Sequence, residues 1–408
     1  MKDLLATQSN SSNTIAFLLL AAPVFLLPAD GNYQIFGILL IFCFGVFFSL
    51  TPFAILKIIF FLLIVGILTL SQDPFLGNMT AALFFYSPFV IFLSHSYRNA
   101  IVGFDNILIA MGYLYSFLIF FQLLQNNFIP DFADGIHGVQ NGAHISGILL
   151  LTLGTYYLNS AKITHQISGV FFLITGILCG YNIVTLVVII SHLIYYLFQT
   201  YRGLNSSKAL VYLVPVMLIS IYIFFSDRYA SSIFNLALRD IDFFVTQYAL
   251  KISYMSDSLK SIYENNFFVG EGLGQGGSKG AIISIYNLGI EFFNSIPDWT
   301  REHVLDYYNL LYFYPGTLHQ PYSSLIAILS EMGLLGGIII LFGLLLRTIQ
   351  FAKESSAPGI AILLLQFWLL LILTHSLENY VYISLLLLLT SLNPSPYPTE
   401  DANYEIQT

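Results

Sequence analysis

Apolar runs follow one another along almost the whole chain, separated by shorter polar segments. Most of these runs approach the roughly 20 residues that an α-helix needs to cross a hydrocarbon core. The pattern therefore predicts about twelve membrane-spanning helices, although residues 165–200 fit either two helices divided at Gly180 or one long kinked helix. The predicted helices cover residues 14–28, 33–50, 53–70, 80–94, 104–124, 144–158, 165–179, 181–200, 208–225, 322–347, 358–375 and 379–393.

One long segment of mixed character interrupts this pattern between the ninth and tenth predicted helices. Within it, residues 232–265 carry an apolar stripe at helical spacing with charges between, which predicts an amphipathic helix on the membrane surface or over the bundle. We therefore divide the chain into four parts. They are an N-terminal bundle of about nine helices at 1–225, a large outer loop at 226–321, C-terminal helices at 322–393 and a tail at 394–408.

The composition favours lipid as the solvent of this fold. The chain is 57% hydrophobic and 9% charged, and a water-soluble fold of this size cannot enclose that much apolar surface. Cys43 and Cys179 lie inside predicted helices and indicate no disulfide framework. We expect an all-α integral membrane protein.

The distribution of Lys and Arg predicts the orientation, because short loops rich in positive charge stay on the cytoplasmic side. The short loops at 29–32, 71–79, 125–143 and 376–378 contain no Lys or Arg and are placed outside. Both termini are then cytoplasmic. The basic residues on the cytoplasmic side are Lys2, Arg98, Lys162, Arg202, Lys208, Arg347 and Lys353.

Several cations of the outer loop have no role in setting this orientation. Arg239, Lys251, Lys279 and Arg301 all lie between 226 and 321. Such a group at a membrane surface suits the binding of a lipid-linked phosphate or pyrophosphate. The alternative is that each pairs with a nearby acid such as Glu302.

A glycine run, GEGLGQGGSKG at 270–280, follows the amphipathic stretch and contains Gly270, Gly272 and Gly274. Glycine lets the backbone approach a ligand closely, so the run suits a loop whose N–H groups meet an anion. A turn between two helices is the other interpretation. A dinucleotide site is not indicated, because the required strand and helix are absent from the pattern on either side.

His319 and Glu331 are the candidate chemical groups. His319 stands directly before the tenth predicted helix, where an imidazole can act as a general base or hydrogen-bond donor near neutral pH. Glu331 lies further along the same helix, on roughly the same face. A carboxylate at that depth is costly unless it is paired or faces a cavity, which makes it a functional candidate. The sequence carries no zinc, haem or Ser-His-Asp signature, so neither metal nor cofactor is expected.

These features together resemble the bacterial O-antigen polymerase and O-antigen ligase superfamily. The resemblance lies in KISYMSDSLKSIYENNFFVGEGLG at 251–274, HQPYSSLIAILSEMGLLGG at 319–337 and HSLENYVYISLLLL at 375–388, on a scaffold of many spans with one large periplasmic loop. Two positions depart from the family pattern. Lys251 stands where the family often has Arg, and Tyr322 stands where its His is typical, nine residues before the Glu.

The resemblance implies a GT-C-like, metal-independent and cofactor-independent glycosyltransferase at the periplasmic face of the bacterial inner membrane. It would transfer a growing glycan from undecaprenyl pyrophosphate to a lipid-linked repeat unit, as a polymerase, or to lipid A core, as a ligase. A flippase for the lipid-linked unit is the alternative from another class. The implied partners are the undecaprenyl-pyrophosphate-linked oligosaccharide, the bilayer and a chain-length regulator, with no nucleic acid.

The resemblance also implies roles for the candidate residues. His319 is the expected base, and Glu331 either orients the His or the acceptor or holds the helix. The four cations of the outer loop are expected to neutralise the leaving pyrophosphate.

Overall fold

A computed structural model of the chain describes most of the predicted helical regions. The described residues are 2–28, 31–52, 55, 56, 58, 59, 63, 66, 76–94, 101, 103–127, 133, 135–137, 142–179, 182–201, 267–270, 272, 323–354, 358–374, 376 and 379–392.

The described residues form ten α-helices and a short π-helix, with no β-strand among them. The helices are α1 (Lys2–Phe25), α2 (Gly31–Phe44), α3 (Leu76–Ser94), α4 (Asp105–Gln125), α5 (Gly142–Leu158), α6 (Ile163–Leu178), α7 (Asn182–Tyr201), α8 (Ser324–Glu354), α9 (Pro358–Leu373) and α10 (Tyr380–Ser391), and the π-helix Gly45–Ser49 continues α2. The prediction of an all-α fold is confirmed for this part of the chain.

Each of the ten α-helices overlaps one predicted span. Residues 165–200 form two helices, α6 and α7, rather than one. Most of the predicted span at 53–70, and all of the one at 208–225, lies outside the described residues.

The short helix α10 lies in the middle of the described bundle. All of its residues are buried, and it packs against α1, α2, α3, α5 and α9. Two of its side chains also bond to backbone in and after α1. The Ser384 hydroxyl donates to the carbonyl of Leu20 over 2.8 Å, and the Tyr380 hydroxyl donates to that of Pro28, just beyond α1, over 2.9 Å. Burial and hydrogen bonding therefore both hold α10 at the centre.

The helices α5 and α6 form an antiparallel hairpin whose backbones come close together. A Cβ atom at Gly154 would lie 2.6 Å from Cγ of Leu173, and one at Gly176 would lie 2.8 Å from Cγ of Leu151. A Cβ at Gly169, nearer the turn of the hairpin, would overlap the backbone of Leu158. Small residues at such an interface let two helices approach closely.

The outer surfaces of several described helices are apolar. Leu114 and Phe117 of α4 are 72% and 61% exposed, and Phe342 of α8 is 58% exposed. By length and composition, α4 and α8 are the two described helices long enough and apolar enough to cross a membrane, and the apolar stretches of the other described helices span 10–17 residues.

Candidate functional site

The helix α8 is broken at Gly333. The backbone of this residue has φ 62° and ψ −172°, a combination that is essentially restricted to glycine. The break divides α8 into a first half, residues 324–332, and a second half, residues 334–354. Such a break removes hydrogen-bond partners from backbone N–H and C=O groups on its two sides.

A loop from the glycine-rich region supplies new partners for the N–H groups of the second half. The N–H of Leu334 donates to the carbonyl of Phe267 over 2.9 Å, and that of Leu335 donates to the carbonyl of Phe268 over 3.2 Å. We call residues 267–270 and 272 the glycine loop. The glycine loop therefore caps the N-terminus of the second half of α8.

The glycine loop also meets the C-terminus of the first half. The N–H of Gly272 donates to the carbonyl of Glu331 over 3.0 Å. Gly270 faces Gly333, and a Cβ atom on either glycine would overlap the backbone nitrogen of the other. The loop and the broken helix therefore meet backbone to backbone.

Glu331 is buried at this junction, with 1% of its surface exposed. Its neighbours Ser330 and Met332 are also buried, at 3% and 7% exposure. Burial of a carboxylate is unfavourable unless polar groups accompany it, so such a residue in the interior is a candidate for chemistry. A carboxylate held here can accept a hydrogen bond or a proton, or orient a cationic group.

The start of α8 is tied to the end of α9. The N–H and the hydroxyl of Ser324 both donate to the carbonyl of Thr374 over 3.0 Å, and the hydroxyl of Ser323 donates to that of Leu371 over 3.4 Å. In the sequence, this junction is flanked by His319 before Ser323 and His375 after Thr374. Both of these histidines lie outside the described residues.

The structure brings together three of the residues singled out from the sequence: Glu331, Gly270 and Gly272. The others, which are His319, Arg239, Lys251, Lys279, Arg301 and Gly274, lie outside the described residues. The sequence left two interpretations of the glycine run, an anion-binding loop and a turn between two helices, and Gly272 allows them to be compared. The N–H of Gly272 is bonded to the protein's own backbone, so at this residue the loop serves helix capping.

The sequence matches no protein-family model and no curated protein. The site itself and the resemblance of its segments are therefore the basis for assigning a function. Within the part of the chain that the structure describes, no group of three or more His, Cys, Asp or Glu residues could hold a metal ion.

Sequence reasoning missed the role of Gly333. The residue was visible in the pattern E-x-G, but an isolated glycine in an apolar run is also compatible with an unbroken helix. The partners Phe267 and Phe268 were equally hidden, because they contribute carbonyl groups that every residue has. A glycine two residues after a carboxylate within an apolar run was the available signal.

A second polar cluster joins α5, α7 and α9 away from the break. The Tyr196 hydroxyl donates to the side-chain carbonyl of Asn159, whose amide lies 3.3 Å from Nε2 of His192 and donates to the Thr155 carbonyl over 2.8 Å. Gln366 donates to the Thr155 hydroxyl over 2.8 Å. Each of these groups has a partner within the cluster, which favours a role in joining helices.

Proposed function

We propose that the protein is a membrane-embedded O-antigen polymerase. It transfers the growing glycan from undecaprenyl pyrophosphate to a lipid-linked repeat unit at the periplasmic face of the bacterial inner membrane. The observation that carries the proposal is the contact between the glycine loop and α8 at Glu331 and Gly333.

That contact supports the proposal because its two sides resemble the family separately. The glycine loop belongs to the matching segment at 251–274 and Glu331 to the segment at 319–337. Two chance resemblances far apart in the chain have no reason to meet. Here they share three backbone hydrogen bonds and a glycine-to-glycine contact.

The proposed reaction needs a base for the acceptor and positive charge for the leaving group. The acceptor hydroxyl attacks the anomeric carbon, the bond from that carbon to the pyrophosphate oxygen breaks, and the hydroxyl proton passes to the base. His319 is the proposed base, and Glu331 orients it or the acceptor hydroxyl. Lys and Arg residues of the outer loop neutralise the undecaprenyl pyrophosphate as it leaves.

The exposed apolar faces of α4 and α8 support a position in the bilayer. Side chains such as Leu114, Phe117 and Phe342 are more than half exposed, and contiguous apolar surface of this kind is rare on water-soluble monomers. An enzyme acting on a polyprenyl-linked donor must meet its substrate in the membrane, so this environment suits the reaction.

The test is the lipopolysaccharide banding pattern of a deletion strain that carries either the wild-type protein or Glu331→Gln. We expect the deletion to reduce the ladder to core plus one repeat and the wild-type protein to restore it. Misplacement of a reacting group slows a reaction by about 100-fold, so the loss of the orienting carboxylate in Glu331→Gln should leave the ladder collapsed. Immunoblotting of the membrane fraction checks that both proteins are present in equal amounts.

Gly343→Ala is the matched control, because Gly343 lies in the same helix and a Cβ there meets nothing within 4 Å. It should restore the full ladder. A deletion strain with an unchanged ladder would contradict the proposal. A strain without capped core, in which polymer accumulates on the lipid carrier, would identify the ligase instead.

A further inference from the structure

The glycine loop and α8 fit together without room for any side chain at the contact. Gly270 and Gly333 both have positive φ, at 78° and 62°. A Cβ on Gly270 would also lie 2.7 Å from the carbonyl oxygen of Glu331, and one on Gly333 would lie 2.5 Å from that of Phe268. Replacing either glycine therefore opposes docking through both backbone conformation and overlap.

The docked loop determines the path of α8 beside Glu331. In an unbroken helix, the N–H groups of Leu334 and Leu335 would bond to the carbonyls four residues earlier, those of Ser330 and Glu331. Here they bond to the glycine loop instead, and the carbonyl of Glu331 accepts from Gly272. Loss of the loop would remove these partners and favour a continuous helix, which would turn the first half of α8 relative to the second.

We propose that the glycine loop is a positioning element for Glu331 in the glycosyl transfer. Docking keeps α8 broken and fixes the carboxylate in its buried place, and the productive state is the docked one. This inference rests on the function proposed above. In the sequence, the loop lies between Lys251 and Lys279, two of the residues proposed to bind the pyrophosphate.

A cross-link between the loop and the second half of α8 measures docking without reference to glycan synthesis. Phe268 and Leu335 share a backbone hydrogen bond, and their side chains are 61% and 50% exposed, so both positions tolerate cysteine. The background protein is the full chain with the free cysteines Cys43 and Cys179 replaced. Addition of Phe268→Cys and Leu335→Cys should then give a high yield of disulfide in oxidised membranes.

Gly270→Ala should lower both the cross-linked fraction and the length of the ladder. We expect about a tenfold fall in docking, because left-handed backbone alone disfavours alanine to that order. Gly343→Ala, in the same background, should change neither. Glu331→Gln should keep the cross-link and lose the ladder, which separates the carboxylate from the element that positions it.

Gly272→Ala provides a second variant in case Gly270→Ala does not accumulate. Gly272 has φ 97°, so alanine weakens docking there. Oxidation of the 268–335 cysteine pair should re-dock the loop and restore ladder synthesis in a pulse-labelling experiment, and reduction should abolish it again. A general loss of folding would not be reversed by one reducible bond in the same protein population.

Two outcomes would overturn the inference. One is a Gly270→Ala protein that loses the cross-link yet makes a full ladder. The other is a wild-type loop whose cross-linking stops ladder synthesis until the disulfide is reduced, since the docked state would then be unproductive. A deletion strain with an unchanged ladder instead refutes the proposed function, and the cross-linking result still stands as a measure of docking.

Discussion

His137 is a buried histidine in the segment between α4 and α5. Only 1% of its surface is exposed, and its ring lies 5.7 Å from that of Tyr115. The nearby Gly135 is fixed through both its N–H and its carbonyl by the side chain of Gln122, at 2.8 and 2.9 Å. Burial lowers the pKa of His137 to about 4. The backbone carbonyls of Leu27 and Val24 raise this pKa, but by less than burial lowers it. The folded protein therefore favours the neutral imidazole.

The low pKa of His137 predicts a loss of stability in mild acid. The folded pKa lies below the unfolded value of about 6.5, so above that pH both states are neutral and stability is full. As the pH falls from about 6.5 towards 4, only the unfolded state takes up the proton, and stability falls by up to about 3 kcal/mol. Thermal unfolding in detergent at pH 7.5, 5.5 and 4.5 measures this effect.

His137→Phe keeps a ring beside Tyr115 and removes the titrating group. Its unfolding temperature should depend less on pH than that of the wild-type protein over the same range. Equal pH dependence of the two proteins would show that other groups control acid stability.

Glycines decide how closely the helices of this bundle pack. At Gly169, α6 lies against the backbone of Leu158 in α5, so the two helices cannot accept a methyl group there without moving apart. Gly343 of α8 lies in open space. The same residue type therefore has opposite energetic consequences at two positions.

We predict that Gly169→Ala destabilises the protein and that Gly343→Ala does not. Overpacking at Gly169 should cost about 1–3 kcal/mol. Gly343→Ala should be neutral or stabilise by up to about 1 kcal/mol, because alanine has the higher helix propensity. The unfolding temperatures of the two purified variants in the same detergent test this, and a stable Gly169→Ala protein would contradict the close packing of α5 on α6.

The helices themselves could be predicted from the sequence, whereas the break in α8 could not. Long apolar runs predict helices because runs of about that length cross a hydrocarbon core as helices. The described helices lie where those runs occur. Glu331 could be singled out because a carboxylate within an apolar run is unusual. The break at Gly333 depends on partners from a distant segment, and the backbone hydrogen bonds of Phe267 and Phe268 leave no mark on residue type. Local pattern cannot report contacts of that kind.

At the scale of the whole molecule, apolar surface faces outwards as well as inwards. The second half of α8 buries Leu344 and exposes Ile338 and Phe342, so it carries apolar residues on both sides. A protein in water would place polar residues on the exposed side. The arrangement is the one expected when lipid covers the outer surface.

A charge at Phe342 distinguishes lipid from water around this surface. In a bilayer, Phe342→Glu should reduce the inserted and folded fraction, because a charge near the middle of a membrane helix costs about 2.5–3.5 kcal/mol. Phe342→Leu is the matched apolar control and should behave like the wild-type protein. The measurement is the folded fraction recovered from membranes. A Phe342→Glu protein that is more soluble without detergent would show that water is its solvent.

The central position of α10 also has a consequence for how the protein is made. This helix follows α1–α9 in the chain, yet it lies between α1, α2, α3, α5 and α9. During synthesis, these five helices therefore leave the ribosome before the helix that fills the space among them. Until α10 is made, the surfaces of these helices that it covers lack their final partner. The core is thus completed last, by a helix that is made after all five of its neighbours.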